Sequence, residues 1–279
     1  MMVQSAPEGE PRFITMMREH NAFCGELIRA FGNDAFEACE PHDEVVYVVS
    51  HHDYGWDETD AHPTLAPNGY PRGLGNGPVP GIIGTGPQSV EVNSRRHLYC
   101  GLISSMHIWG LYNERYGLSQ FEVRIGGSKS VPVAEADRAE ADAMLAAELA
   151  RQGEIKRTLA ADPAAAKWLD EDHVLQNYKQ LQFIDTLALY FHLRHASERR
   201  PETFVHVPKS RTEDAQVTLT PKGGGVYQLD PFPFRGDELK VACRGRYFGP
   251  VKENLSSQDL ADALRRSQAT EQTHILVRG

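Results

Sequence analysis

The chain lacks several features that would assign it to a class at once. No apolar run approaches the roughly 18 to 20 residues that cross a bilayer, so no membrane association is expected. Its four cysteines, Cys24, Cys39, Cys100 and Cys243, lie far apart and form no C-x-x-C pair. They read as buried, reduced thiols of a cytoplasmic protein rather than as a disulfide framework or a thiolate metal site. Positive charge is not in surplus: 29 Lys and Arg stand against 38 Asp and Glu, a formal net charge of −9. That balance argues against nucleic acid as a partner. Repeats and low-complexity tracts are absent. Met1 to Pro11 is polar and acidic, without the basic-then-apolar texture of a secretory leader, and reads as a disordered lead-in.

What is present is an ordinary apolar fraction, 41%, in 279 residues. That is enough for one large domain, or one domain with a small appendage. Twelve histidines are the one compositional oddity.

Periodicity predicts a mainly α protein. From Phe13 to Phe31 apolar residues recur at three- and four-residue steps, with His20 on the apolar stripe and Gly32 closing the helix. Asp43 is expected to cap a second helix through Val45, Val46, Val48 and Val49, against the strand preference of valine. Residues 57–92 hold seven glycines between Gly69 and Gly86 and five prolines between Pro63 and Pro80, which predicts a long loop without regular structure. A third helix is expected from Ser94 to Gly117, an Ala/Glu/Arg-rich helix over 133–159, and a long one from Asp170 through His192. After Pro201 the texture turns to short strands and hairpin signals. The expected organisation is a helical metal-binding domain over 12–200 and a small β-rich region, 201–279, packed on it.

The stretch Ser50-His51-His52-Asp53-Tyr54-Gly55-Trp56-Asp57 carries the chemistry. Adjacent imidazole and carboxylate suit Zn, Fe, Mn or Ni. Alone, His20 would read as a core histidine; His107 and Asp185 give it partners. An aspartate among Phe183, Ile184, Leu187 and Leu189 is costly unless paired or metal-bound. Tyr178, Gln182 and His192 share its helical face and are expected to line a pocket, with Tyr178 and Gln182 as catalytic candidates.

The order Glu19-His20, His52-Asp53-x-Gly55-Trp56, Ser104-Ser105-Met106-His107, Phe183-Ile184-Asp185-Thr186-Leu187 and Asp230-Pro-Phe-Pro-Phe234 resembles the HD-domain metalloenzymes, mostly uncharacterised bacterial members, over nearly the whole length. More distantly it is similar to a di-iron monooxygenase of platensimycin-type diterpenoid biosynthesis. The resemblance implies an HD-like helical bundle with a small β-rich C-terminal appendage. It implies His20, His52, Asp53 and Asp185 as metal ligands, with His107 added for a second metal. The implied cofactor is two iron ions, with Mn or Zn as alternatives.

Many HD phosphohydrolases carry a lysine after the His-Asp-x-Gly run. Here that position is Trp56, and Asp57, Glu58 and Asp60 follow. Tyr54, Trp56, Tyr70 and Trp109, with His192, suit a pocket for an apolar organic substrate. The expected function is therefore a di-iron monooxygenase hydroxylating a bulky, largely apolar molecule, a diterpenoid or acyl intermediate of secondary metabolism, with dioxygen. The alternative is a metal-dependent HD-type phosphohydrolase, for which Arg18, Arg72, Lys179 and Arg194 could supply charge. The sequence is compatible with a homodimer and points to no electron donor.

Overall fold

Helices and strands alternate in blocks in the computed structural model, which describes residues 1–76, 79, 81–118, 130–251 and 255–279. Strands β1 (Met2–Val3) and β2 (Arg12–Thr15) come first, then α1 (Met17–Ala30), α2 (His42–Val49) and α3 (Asp57–Ala61). Next are α4 (Ile82–Arg96), α5 (Leu98–Tyr112), α6 (Arg138–Ala160), α7 (Pro163–Ala166) and α8 (Glu171–Leu193). Strands β3 (Glu202–Pro208), β4 (Asp214–Gly223), β5 (Val226–Asp230) and β6 (Glu238–Phe248) follow, then α9 (Ser257–Arg266) and β7 (Ala269–Arg278).

The sheet overturns the expected mainly α bundle with a small appendage. It has seven strands in the order β1-β2-β6-β7-β5-β4-β3, mixed because β5 and β7 run parallel while the other neighbours are antiparallel. Helix covers about 50% of the described residues and strand 21%. The segment read as a disordered lead-in supplies β1, whose Met2 and Val3 are fully buried. Phe13 and Ile14, expected in a helix, lie in β2 opposite Tyr247 and Arg246. Two- and four-residue strands leave too short an alternation to be seen in sequence, and the strand that joins β2 to the rest of the sheet, β6, lies more than 200 residues away. Helix α1 then begins at Met17, where the Glu19 carboxylate accepts the backbone N–H of Met16 at 2.8 Å.

The remaining helices follow burial more than propensity. In α2, Val45, Val48 and Val49 are buried, and that packing outweighs their strand preference. Asp43 lies inside its first turn, behind Pro41, and so does not cap it; with Glu44 it sits where the helix dipole favours negative charge.

The expected loop over 57–92 is partly helical. Both α3 and most of α4 fall inside it; Gly77, Pro78 and Pro80 lie outside the described residues. Helix α4 forms despite Gly84, Gly86 and Pro87 because Thr85, Gly86, Ser89, Val90 and Asn93 are buried, against α5 and the turn at Tyr54–Trp56. Helix α8, whose N-cap Asp170 accepts from the His173 N–H at 3.1 Å, is buried from His173 to His192 without a break except Leu175. It packs against α1, α5 and β3, and one apolar cluster runs through the helices and into the sheet. Among the described residues no helix is long and apolar enough to cross a membrane.

Candidate metal centre

The side chains implied as ligands converge in the middle of that cluster. His20 projects from α1, His107 from α5 and Asp185 from α8. His52 and Asp53 lie in the turn after α2, held by Asn93, whose amide donates to the His51 carbonyl at 3.0 Å, and by Asn21, whose side-chain oxygen accepts from the Asp53 N–H at 3.4 Å. His20 Nε2 is 3.3 Å from His52 Nε2 and 3.4 Å from Asp185 Oδ1. His52 Nε2 is 3.6 Å from Asp185 Oδ1 and 3.5 Å from Asp53 Oδ2, and His20 Nε2 is 4.0 Å from that same oxygen. Donors about 2.1 Å from a common tetrahedral ion would be roughly 3.4 Å apart, so this spacing fits a cation. Two carboxylates among neutral imidazoles also balance the charge of one divalent ion. His52, His107 and Asp185 form a second set whose donor atoms lie within 4.8 Å of one another.

Without a cation, protons do the balancing. Burial opposes charge on His52, but the carboxylates of Asp53 and Asp185 outweigh it and push its pKa up to about 9. Burial likewise acts against the Asp185 carboxylate, yet hydrogen bonds from His20 and His52 hold its pKa well below the usual range. Asp53 is raised, chiefly by burial. Burial, then the neighbouring His52 charge, lowers His107 to about 3.

The ring nitrogens facing away from the cluster are also engaged. His52 Nδ1 donates to the Val49 carbonyl at 2.8 Å, which turns Nε2 toward the site, where a cation would take the place of its proton. His20 Nδ1 meets His192 Nδ1 at 2.9 Å. Gln182 Nε2 donates to His107 Nδ1 at 2.7 Å.

A cavity of about 470 Å³ opens onto Asp53, His107 and Asp185. Its walls are mostly apolar, among them Met2, Trp56, Val79, Ile82, Leu111 and Leu189. No lysine or arginine is among the described residues that line it.

Several expected pocket residues sit elsewhere. The Tyr54 hydroxyl accepts from exposed Arg18, and Tyr70 donates to the Glu10 carbonyl under Arg12. The Trp109 ring packs on Tyr116. His192 is buried behind His20 with its Nε2 unpartnered among the described residues. Tyr178 also lies outside the cavity: its hydroxyl has no partner among the described residues and packs against Gly110, where an added Cβ would come within 2.2 Å. Aromatic residues are as useful for core packing as for pockets, so their identity alone could not sort them.

Sequence reasoning assigned no role to two groups at the site. Cys24 Sγ lies 3.6 Å from His20 Nε2, one helical turn along α1, and burial, reinforced by Asp185 and Asp53, keeps it a protonated thiol. Its four-residue spacing from His20 is the signal that could have marked it. Arg115, whose Nε donates to Gln182 Oε1 at 2.6 Å, carried no such signal.

No curated protein and no solved structure matches the chain. One family model, described as a protein of unknown function (DUF3891), matches residues 1–249. That match spans most of the 279 residues, and the chain belongs to this family.

Proposed function

We propose that the protein is a non-haem iron monooxygenase that holds two irons at His20, His52, Asp53, Asp185 and His107 and hydroxylates a bulky, largely apolar substrate. The observation that carries this reading is a nitrogen- and oxygen-donor cluster at the wall of an apolar cavity with no basic side chain among its described lining residues. A phosphate ester bound there would lack the cationic contacts that such sites use. The basic residues that could have served are committed elsewhere or lie outside the cavity. Arg18 pairs with Asp57, Lys179 with Asp214, and Arg194 with Glu202, while Arg72 borders a separate surface depression.

Bound at these donors, iron supplies the redox chemistry that lets dioxygen react with a C–H bond. One oxygen atom enters the substrate and the other leaves as water, with electrons from an external reductant. The chain's own residues do the rest. Trp56, Val79, Ile82, Leu111 and Leu189 bury the apolar body of the substrate and exclude water. Asp53 and Asp185 face that cavity from the donor cluster and fix where the substrate can approach it.

The test is metal analysis of protein loaded with ferrous iron without oxygen, followed by dioxygen uptake with and without an apolar alcohol. About two irons per chain and alcohol-stimulated uptake are expected. Asp185→Ala should lose metal while keeping its fold. Stoichiometric Mn or Zn with cleavage of a phosphate ester under anaerobic conditions would overturn the reading in favour of a hydrolase.

A further inference from the structure

The turn after α5 holds a backbone shape that residues with a Cβ avoid. Glu114, Arg115 and Tyr116 have φ of 48°, 50° and 57° in succession. Such strain persists where surrounding structure imposes it, and it gathers at functional sites. The Tyr116 ring is fixed against Trp109 at 4.7 Å and Tyr178 at 5.1 Å. The turn aims Arg115 at Gln182, and Gln182 at His107.

This chain of hydrogen bonds has one direction. A guanidinium can only donate, so the oxygen of the Gln182 amide must face Arg115 and its NH2 must face His107. An NH2 group donates, so His107 Nδ1 accepts, and the proton of the neutral ring sits on Nε2. His52 is oriented in the opposite way: its Nδ1 donates to the Val49 carbonyl at 2.8 Å, so its Nε2 is the nitrogen turned to the donor cluster, and a cation binding there displaces only the Nε2 proton. Ligating imidazoles have the second arrangement, with the outer nitrogen as donor.

We propose that Arg115 and Gln182 are a positioning pair that withholds His107 from a second metal until the Gln182 amide turns over. The position made by His20, His52, Asp53 and Asp185 then fills on its own, and the second fills conditionally. This rests on the metal-centre reading above and adds an order of loading to it. Arg115 touches none of the donor atoms; it acts through Gln182.

The experiment has two readouts. In metal-free protein labelled with nitrogen-15 at histidine, the His107 signal, identified by its loss in His107→Asn, should show the hydrogen on Nε2. In Gln182→Glu a carboxylate faces the ring, so the hydrogen should move to Nδ1. The second equivalent of anaerobic ferrous iron should then bind about 10- to 100-fold tighter, with the first equivalent unchanged. Arg115→Leu frees the amide and should act in the same direction; Arg115→Lys keeps a donor and should return the wild-type value. If Gln182→Glu does not fold, the two Arg115 variants carry the same comparison. A wild-type His107 protonated on Nδ1, or a second equivalent indifferent to Gln182→Glu and Arg115→Leu, overturns the proposal alone. Failure of every variant and the wild type to bind iron at either position overturns the metal reading and this proposal with it.

Discussion

Gly55→Ala is the substitution whose effect follows most directly from the packing around the site. Gly55 lies two residues after Asp53, in the turn pressed against α4. A Cβ there would stand 2.0 Å from the Thr85 carbonyl oxygen and 2.8 Å from the Ser89 backbone nitrogen. Both are backbone atoms, so no rotamer relieves the clash. The turn must retreat from α4 by roughly an ångström, because packed interiors leave no slack. Retreat stretches the bond from the Gly55 N–H to Ser89 Oγ, now 2.9 Å, and drags Asp53 away from His52. Overpacking costs about 1–3 kcal/mol, and a lost hydrogen bond about 1 kcal/mol more. A fall in melting temperature of roughly 5–10 °C follows. Two other glycines of the same region calibrate this. At Gly86 the clash, 2.6 Å, is with the Ile108 side chain, which can shift, so Gly86→Ala should cost less. At Gly84 nothing lies within 4 Å, so Gly84→Ala should stabilise α4 by about 0.5–1 kcal/mol. Urea unfolding of the three metal-free variants, with ferrous-iron affinity measured in parallel, gives the order. A Gly55→Ala variant as stable as wild type, binding iron equally well, would refute the argument.

Two further outcomes are expected. Leu189→Trp should fill the cavity one helical turn beyond Asp185, weakening binding of an apolar alcohol about tenfold or more while sparing iron binding; unchanged alcohol affinity in calorimetry would count against the cavity as the substrate site. His274 is buried between Phe23, Phe191 and Tyr227, with neither ring nitrogen partnered among the described residues, and burial, then the charge of Arg199, lowers its pKa to about 3. The folded state therefore holds it neutral while the unfolded chain takes up a proton below about pH 6.5, so its contribution falls by about 1.4 kcal/mol per pH unit as pH drops from there toward 3. His274→Phe should flatten the pH dependence of urea unfolding by about one proton over that window, and an unaltered slope would contradict this.

Much of the site was legible in sequence, and much of the fold was not, for related reasons. A buried aspartate in an apolar helix is so costly that Asp185 announced itself, and His52-Asp53 gave it a partner whatever the surrounding architecture. Helix α2 could be read against its valines because a strand would have sent His52 and Asp53 to opposite faces. Burial of Ser89, Val90 and Asn93 makes α4 a helix, and no local pattern around Gly84, Gly86 and Pro87 records that burial. Tyr54, Tyr70 and Trp109 look like pocket residues by type, yet each is satisfied by core or surface contacts. Arg115 was invisible because its role depends on an unusual backbone turn and on a partner 67 residues away.

The sheet, more than the number of helices, explains why these donors can meet. His20 and Asp185 belong to α1 and α8, and those helices pack against β6 and β3 respectively. Strand β6 in turn pairs with β2, which leads straight into α1. The Gln4 amide donates to the Phe191 carbonyl at 2.7 Å, tying the segment after β1 to the end of α8 beside His192. Met2 of β1 itself forms part of the cavity wall. Strands β1, β2 and β3, missed in sequence, thus join β6 in setting the distance between the helices that carry the first and last donors. A separate helical bundle would have to hold two carboxylates and three imidazoles together against their desolvation with helix contacts alone. Here the sheet fixes the backs of α1 and α8, so convergence of the donors is a consequence of the whole core, and a perturbation of β2 or β6 should reach the donor cluster as surely as one beside it.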